Sequence, residues 1–294
     1  MKKESEIIKF AEKYAYIFNP YKNKTEKITL FDYQKKILNN FEKNKFTIIK
    51  QSRQVGIDTV VAIYAAYLLI KNNEKTILAI YDSIDSAKNF LQTVRNIIMH
   101  VEESCENKKN RLFFINNKRE IQLKNKSRLI VMGDTPNGGK SYRIDLLFMN
   151  NFEYISHSKD IWAAAGWTLS VNNGKSIFAS TPKYKKGFFH ELWNNAIKKK
   201  NDFKPVNINW KQNPYFDNVW YENMCKTLNY DKDSIATELD GKFISKKENR
   251  KKTTITMRIE IDKKDKILNR IKQKNMSSIT DYIIELINND LKCY

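Results

Sequence analysis

Short apolar runs and longer helical patterns alternate along most of this chain. "FTIIKQ" (residues 46–51) and "IDLLFMNN" (residues 144–151) are short and apolar, which is typical of buried strands. "DTVVAIYAAYLLIKN" (residues 58–72) is long enough for a buried helix. Further predicted strands cover residues 75–82, 111–117, 120–125, 128–133, 175–181 and 203–210; further predicted helices cover 31–44, 83–104, 159–173 and 187–200. This alternation predicts an α/β fold, a mostly parallel sheet with flanking helices on both faces.

The pattern changes after residue 244. "SKKENRKK" (residues 245–252) is charged, has no apolar residue and predicts a linker. "TTITMRIEI" (residues 253–261) alternates like a strand, and two helical stretches follow at residues 262–275 and 278–291. One strand and two helices bury too little apolar surface to be stable alone. We therefore expect a first domain at 1–244, a basic linker at 245–252 and a small second domain at 253–294 that needs a partner.

Charge narrows the classes of partner. The 53 Lys and Arg residues outnumber the 33 Asp and Glu residues, for a formal charge of +20. This excess favours a polyanion such as nucleic acid, although a lysine-rich proteome would also produce it. The three cysteines and three histidines are scattered, so no zinc site or disulfide framework is expected. No run approaches the ~20 apolar residues of a membrane span, and the amino terminus does not resemble a signal peptide, so we expect a cytoplasmic protein.

One turn between a strand and a helix has the layout of a phosphate-binding loop. In such loops backbone N–H groups at the helix start face phosphate, a lysine adds positive charge, and Ser or Thr holds magnesium. Here "SRQVGIDT" (residues 52–59) has Ile57 after Gly56, and Asp58 follows it. A carboxylate 4 Å from a phosphate charge would repel it by about 4 kcal/mol at an effective dielectric near 20. These two residues predict weak binding of nucleotide, or none.

The order of segments over residues 28–244 resembles the ATPase domain of the large terminase subunit, the DNA-packaging motor of tailed bacteriophages. The family's loop is typically S-R-Q-x-G-K-T-T, and this chain matches it at Ser52, Arg53, Gln54, Gly56 and Thr59. The family also has an upstream D-Y-Q and a T-T-P coupling motif, which correspond to residues 32–34 and 180–182 here. The resemblance implies a P-loop NTPase-like fold. It also implies that the nucleotide pocket, or its remnant, includes these loop residues together with Gln34, facing adenine, and Thr181.

The departures from that family predict lost catalysis. Where the family's strand ends in Asp-Glu, for magnesium and for activating water, this chain has Asn150 and Asn151. Amides neither take the proton nor neutralise the metal. Asp145 lies at the other end of the predicted strand, and Glu153 comes two residues late. We expect no catalytic residue, no metal site and no resident cofactor, with ATP and magnesium not excluded; Arg53 either meets an anion or forms a salt bridge within the loop.

The carboxyl-terminal segment resembles a ribbon-helix-helix DNA-binding domain of the Arc type. Its strand contains T-x-R at residues 256–258, and its second helix begins with Ser278 before Thr280 and Asp281. The resemblance implies a homodimer through this strand, with the ribbon in the major groove of duplex DNA. The implied DNA-binding residues are Thr254, Thr256 and Arg258 at base edges, Ser278 at a phosphate-facing helix start, and Arg250, Lys251 and Lys252 along the backbone. A solvated edge strand and a plain charged linker are the alternatives.

These patterns together predict a DNA-binding, catalytically inactive terminase-like protein of a phage or mobile element that acts in or on DNA packaging, with phage packaging proteins as further partners. Two alternatives stay open. One is a divergent but active packaging ATPase; the other is a ribbon-helix-helix repressor whose large domain is a scaffold. A terminase would carry a nuclease domain after residue 244, and none follows here, so we expect no DNA cleavage by that route.

Overall fold

The computed structural model describes residues 5–19, 23–105, 112–136, 138–140, 142–245, 260–274 and 276–290. The chain divides into two compact units, Met1–Lys246 and Lys247–Tyr294. The first contains a large sheet with its helices, and the second contains two helices. Within the described residues no helix is both long and apolar enough to cross a membrane.

An eight-stranded sheet forms the centre of the first unit. Its strands are β3 (Phe46–Gln51), β4 (Thr76–Ile80), β5 (Phe113–Asn116), β6 (Glu120–Leu123), β7 (Arg128–Met132), β8 (Leu146–Asn150), β9 (Lys175–Ser180) and β10 (Phe203–Ile208). They lie in the order β10-β3-β9-β8-β4-β7-β6-β5. The six strands from β10 to β7 are parallel, and β6 and β5 continue the sheet as antiparallel strands. A separate antiparallel hairpin joins β1 (Tyr16–Asn19) and β2 (Lys24–Lys27).

Helices cover both faces of this sheet because neighbouring strand residues point to opposite sides. One apolar core lies against the first four helices, α1 (Glu6–Tyr14), α2 (Asp32–Lys43), α3 (Ile57–Lys71) and α4 (Ile84–Glu103). The other lies against α5 (Ser158–Val171) and α6 (Phe188–Ile197). Ile49 belongs to the first core and Ile48 to the second. The helix α3 is apolar on all sides and fills the space between its neighbours and the sheet.

Three shorter helical segments close the first unit after β10. They are α7 (Asn218–Thr227), the single turn α8 (Lys232–Ser234), and a π-helical turn at Ile235–Leu239 that continues α8. Two 3₁₀ turns, Phe152–Tyr154 and Trp210–Gln212, follow β8 and β10. The α/β fold with a mostly parallel sheet and flanking helices is confirmed. The β1–β2 hairpin was not predicted, since its residues are mostly polar and the segment appeared loop-like.

The second unit contains α9 (Ile261–Gln273) and α10 (Ile279–Asp290), as the sequence predicts. One detail of the expectation is wrong: Ile261 was assigned to the alternating strand, but it begins α9 and its side chain is 81% exposed. Glu260 precedes that helix and forms an ion pair with Lys263, Nζ to Oε2 2.9 Å, which favours a helix start over a strand end. The remainder of the predicted strand, residues 253–259, lies outside the described residues.

Candidate functional site

The polar side chains of interest meet where four parallel strands end. Strands β3, β9, β8 and β4 are neighbours in the sheet, and their carboxyl ends lie at one edge. Ligands of open α/β sheets bind at that edge. A cleft of about 550 Å³ opens there, and its walls include Arg53, Asp58, Asp82, Asn150 and Thr181. The chain therefore has a cavity where the resemblance implies the phosphate end of a nucleotide.

The loop between β3 and α3 has the tight backbone that its sequence predicts. Gln54 and Gly56 adopt left-handed backbone angles, with φ of 59° and 72°. A Cβ atom on Gly56 would lie 3.3 Å from Gln34 Nε2, so glycine suits both the angle and the space. Gly56 is the residue before α3. The strand–turn–helix layout is thus present. Whether the loop can bind phosphate therefore depends on its side chains.

The first two loop residues are held by the end of the domain. Ser52 Oγ donates to Leu239 O at 2.5 Å and accepts from Trp210 N at 3.1 Å, and the side chain is fully buried. The Arg53 backbone N–H donates to Glu238 O at 2.7 Å. The Arg53 guanidinium forms an ion pair with the Glu238 carboxylate at 3.1 Å, while Arg53 itself stays largely exposed. Arg53 therefore forms a salt bridge, but the expectation of a partner within the loop is wrong, because Glu238 lies outside the loop.

Ile57 occupies the position of the family's lysine, and it points away from the cleft. Its side chain is 2% exposed and belongs to the apolar core under α3. The nearest preceding lysine does not replace the missing charge. Lys50 Nζ donates to Gly241 O at 2.5 Å and lies 5.4 Å from the centre of the Trp193 ring. Burial lowers the pKa of Lys50, and the charge of Lys242 lowers it further.

Asp58 is the first of the cleft's acidic groups, and it is tied to two strands. Its Oδ1 accepts hydrogen bonds from Tyr81 Oη at 2.7 Å and from Asn150 Nδ2 at 2.6 Å. Asp58 is an exposed residue, and it lines the cleft. Desolvation raises the pKa of Asp58; these two hydrogen bonds lower it, and the neighbouring charge of Asp82 raises it. In the family these two positions, one on a helix and one on a strand, hold magnesium. Here their side chains are hydrogen-bonded to each other.

Three further acidic groups, Asp82, Glu153 and Asp145, lie in different places relative to the cleft. Asn151, at φ 53°, donates from Nδ2 to Asp82 Oδ1 at 2.9 Å, and asparagine tolerates this left-handed backbone better than most residues. Glu153 lies beyond the cleft, where its Oε1 is 3.9 Å from the place of a Cβ on Gly187. Burial raises the pKa of Glu153 to about 7, against a backbone hydrogen bond and a nearby lysine that lower it. Asp145 lies at the other end of β8 and pairs with Lys75.

A second cavity, of about 790 Å³, lies on the other side of the loop. Phe31, Tyr33, Gln34, Gly56, Thr59 and Tyr215 are among its lining residues. Gln34, the residue expected at adenine, is 6% exposed, and its Oε1 accepts from Phe31 N at 3.0 Å. It also hydrogen-bonds Tyr33, whose pKa burial raises to about 12. The side-chain amide of Gln34 is therefore already hydrogen-bonded at the start of α2.

The structure divides the expected pocket residues between these two cavities. Gln34, Gly56 and Thr59 line the second cavity, Arg53 and Thr181 line the cleft, and Gln54 lines both. Ser52 lines neither. Sequence reasoning missed Tyr81, Asp82 and Glu238, which come from other elements and carry no motif. A polar pair directly after the apolar run of β4, "YD" at 81–82, was the available signal for two of them.

Only one of the expected DNA-binding residues lies in the described part of the tail. Ser278 caps α10 as predicted, because the Asp281 backbone N–H donates to its Oγ at 3.1 Å. The hydroxyl also donates to Asp281 Oδ2 at 2.7 Å. Arg250, Lys251, Lys252, Thr254, Thr256 and Arg258 lie outside the described residues. Among the residues the structure describes, no group of three or more His, Cys, Asp and Glu side chains forms a metal site.

Comparison with solved structures places the fold. No protein-family model matches the chain. The large terminase ATPase domain of Thermus phage P74-26 aligns with a TM-score of 0.55 at 18% identity, over 71% of this chain and 93% of that one. The HK97 bacteriophage large terminase aligns with a TM-score of 0.64 at 12% identity, over 83% and 56%. A large terminase from a thermophilic bacteriophage gives 0.58 at 13%, over 74% and 54%.

These alignments cover most of an isolated terminase ATPase domain and little more than half of whole large terminases. Because the sequence identities are below one fifth, these alignments establish the fold only. The chemistry has to be argued from the residues of this chain. The first unit therefore has the terminase-type ATPase fold.

Proposed function

We propose that this terminase-like protein binds duplex DNA, hydrolyses no nucleotide, and acts in or on the packaging of phage DNA in the bacterial cytoplasm. The fold supports the connection to packaging, because large terminases of several phages share it. The side chains of the cleft support the loss of hydrolysis. The carboxyl-terminal segment supports the binding of DNA.

The hydrogen bond between Asp58 and Asn150 carries the proposal. It joins the two positions from which the family holds magnesium, and it is short at 2.6 Å. Hydrolysis needs a group that takes a proton from water and charges that stabilise the departing phosphate. The position of the base is an amide, Asn151, and the position of the lysine is a core isoleucine. Removing a positioned base alone costs roughly 10²–10⁴-fold in rate.

Restoring the family's residues tests whether the cleft has lost ATP hydrolysis or carries it out with different residues. We would measure ATP turnover of the full chain with magnesium, with and without duplex DNA. The expected result is turnover no faster than buffer. The matched variants are Asp58→Thr with Asn150→Asp and Asn151→Glu, and the same three changes with Ile57→Lys. Because Ile57 is buried, thermal unfolding of each variant checks that it folds.

Clear turnover by the native chain would overturn the proposal in favour of a divergent packaging ATPase. Turnover that appears only in a rebuilt variant would support it strongly. Turnover absent from every folded variant also agrees with it, and would show that more than four positions have diverged.

The carboxyl-terminal unit is proposed as the DNA-binding element, working as a homodimer through the strand that the sequence predicts at 253–259. Two observations support this proposal. The first is the capped start of α10 at Ser278, which leaves helix N–H groups able to face phosphate. The second is the apolar surface of α10, where Ile284, Leu286 and Ile287 are each 45–50% exposed. Binding to a single operator with a fixed half-site spacing would favour the repressor alternative.

A further inference from the structure

We propose that a lysine surface on the first unit, formed by Lys159, Lys183, Lys185 and Lys186, binds the phosphate backbone of the duplex DNA that the carboxyl-terminal unit binds. The inference rests on the proposed function, because it takes this chain to bind duplex DNA. It assigns to the first unit a second contact that does not depend on base sequence. The four lysines line neither the cleft nor the second cavity.

Two parts of the fold bring these lysines together. Lys183, Lys185 and Lys186 lie in the loop between β9 and α6, and Lys159 lies in the first turn of α5. Lys159 and Lys186 line one open cavity of about 530 Å³. Burial lowers the pKa of His190, on the wall of that cavity, and the charge of Lys185 lowers it further, so Lys185 is also close. Lys159, Lys185 and Lys186 are exposed residues.

The positive charge of the lysine surface is not neutralised within the protein. None of its four lysines forms an ion pair with another residue that the structure describes. Lys183 Nζ lies 5.2 Å from the centre of the Tyr154 ring and 5.4 Å from that of Tyr184, and such ring contacts leave its charge in place. Two acids are nearby: Glu191 lines the same cavity, and Glu153 has a pKa that burial raises to about 7 and Lys183 lowers. The excess of lysine fits a polyanion.

The place where the first unit ends distinguishes this surface from the other lysines of the chain. Lys185 N donates to Ile244 O at 2.7 Å, and Ile244 N donates to Lys183 O at 2.9 Å. The lysine loop is therefore paired with the last residues before the predicted basic linker. The residues expected to contact the DNA backbone, 250–252, begin six positions after Ile244, and six extended residues span at most about 20 Å. DNA bound at 250–252 is therefore within reach of the lysine surface.

A second contact on the same chain strengthens binding because it forms intramolecularly. Duplex DNA carries one negative charge per about 1.7 Å of its axis, so a 20 Å segment offers about a dozen phosphates to the two units. Contacts to phosphate fix the position of a protein on DNA but carry no direct sequence information. The lysine surface is therefore expected to strengthen binding to any duplex, while recognition of a particular site is left to the second unit.

The salt dependence of DNA binding tests this surface. The full chain would be titrated into a labelled duplex of arbitrary sequence, with fluorescence anisotropy as the readout, at several salt concentrations. The surface variant removes three exposed charges, Lys159→Gln, Lys185→Gln and Lys186→Gln. If each of these lysines contacts one phosphate, the slope of log affinity against log salt becomes shallower by about 2–3, and affinity at low salt falls at least about tenfold.

A matched control removes the same charge elsewhere on the first unit. Lys198→Gln, Lys200→Gln and Lys204→Gln replace three exposed lysines, two that follow the carboxyl end of α6 and one on β10. This control variant should keep the native slope and the native affinity, since its lysines are not part of the lysine surface.

A native slope and affinity in the surface variant, shown to be folded by its thermal transition, would overturn the inference and leave the proposed DNA binding intact. An equal loss in the control variant would also overturn it, because net charge alone would then explain the effect. A native chain that binds no duplex loses both the proposed DNA binding and this inference. The behaviour of the native chain thus separates the two failures.

Discussion

The two units of this chain differ in how completely each buries its own apolar residues. In the first unit Tyr64 and Phe148 are fully buried, and the sheet has an apolar core on each face. In the second unit Ile271 is buried, but Ile284 and Ile287 remain about half exposed. The helices α9 and α10 are too few to enclose their apolar side chains. The first unit therefore encloses an apolar core of its own, while the described helices of the second unit leave much of their apolar surface exposed.

This difference in burial also gives an apolar residue a different role in each unit. In a complete core a single position is fixed by its neighbours, so Ile57 is best explained by packing. In the second unit an exposed apolar residue can contact another chain. Large exposed apolar patches typically mark interfaces. Each prediction below tests one side of this contrast.

The largest expected effect is in the first unit. Replacing Ile57 by lysine places a charge in the core that α3 closes, because the native side chain is 2% exposed. We expect Ile57→Lys to lower the free energy of unfolding by at least about 3 kcal/mol. Urea unfolding of the full chain measures this loss. Val171→Lys, at a helix position that is 85% exposed, is the control and should change stability by less than about 0.5 kcal/mol.

Equal stability of the two lysine variants would contradict this explanation. It would mean that a lysine at position 57 leaves the core without cost and reaches the cleft. The isoleucine would then reflect lost chemistry and not packing.

An intermediate effect is expected in the second unit. Ile284→Lys with Ile287→Lys places charge on the exposed apolar surface of α10. We expect a dimer to become a monomer by light scattering at micromolar concentration, and affinity for duplex DNA to fall at least about tenfold, which is 1.4 kcal/mol. Asn288→Lys adds charge to an exposed position of the same helix and should preserve the dimer. A native chain that is monomeric with its helices folded would refute the proposed dimer.

The smallest effect is expected for Arg53 on the surface of the loop, and the buried Ser52 beside it is the comparison. Arg53 is mostly exposed, so its ion pair with Glu238 should contribute less than about 1 kcal/mol, and Arg53→Ala should have little effect on unfolding. Its neighbour Ser52 is fully buried and bonded to Leu239 O and Trp210 N. We expect Ser52→Ala to cost about 1–3 kcal/mol, because a buried backbone donor loses its acceptor. Thermal unfolding of both variants decides; a larger loss for Arg53→Ala would mean that the ion pair holds the loop.

Much of the fold followed from local pattern. The six residues of β3 coincide with the predicted strand. The helix predicted from residue 83 is α4, and Ser83 caps it, with Ser86 N donating to its hydroxyl at 3.2 Å. Uninterrupted apolar runs identify buried strands because side chains of both faces must be apolar there. The β1–β2 hairpin was missed because all four residues of β2, Lys24–Lys27, are polar and show no apolar alternation.

What the sequence by itself determined was the α/β fold, the position of the loop and the identities of the changed residues Ile57, Asp58, Asn150 and Asn151. What only the tertiary structure decided was where those side chains point. Ile57 turns into the core, and Asp58 bonds to a strand residue 92 positions away along the chain. Asp82, shortly after the end of β4, lines the same cleft, although no sequence motif identifies it. Periodicity records which residues are buried together locally, whereas contacts between distant strand ends depend on the order of strands in the sheet.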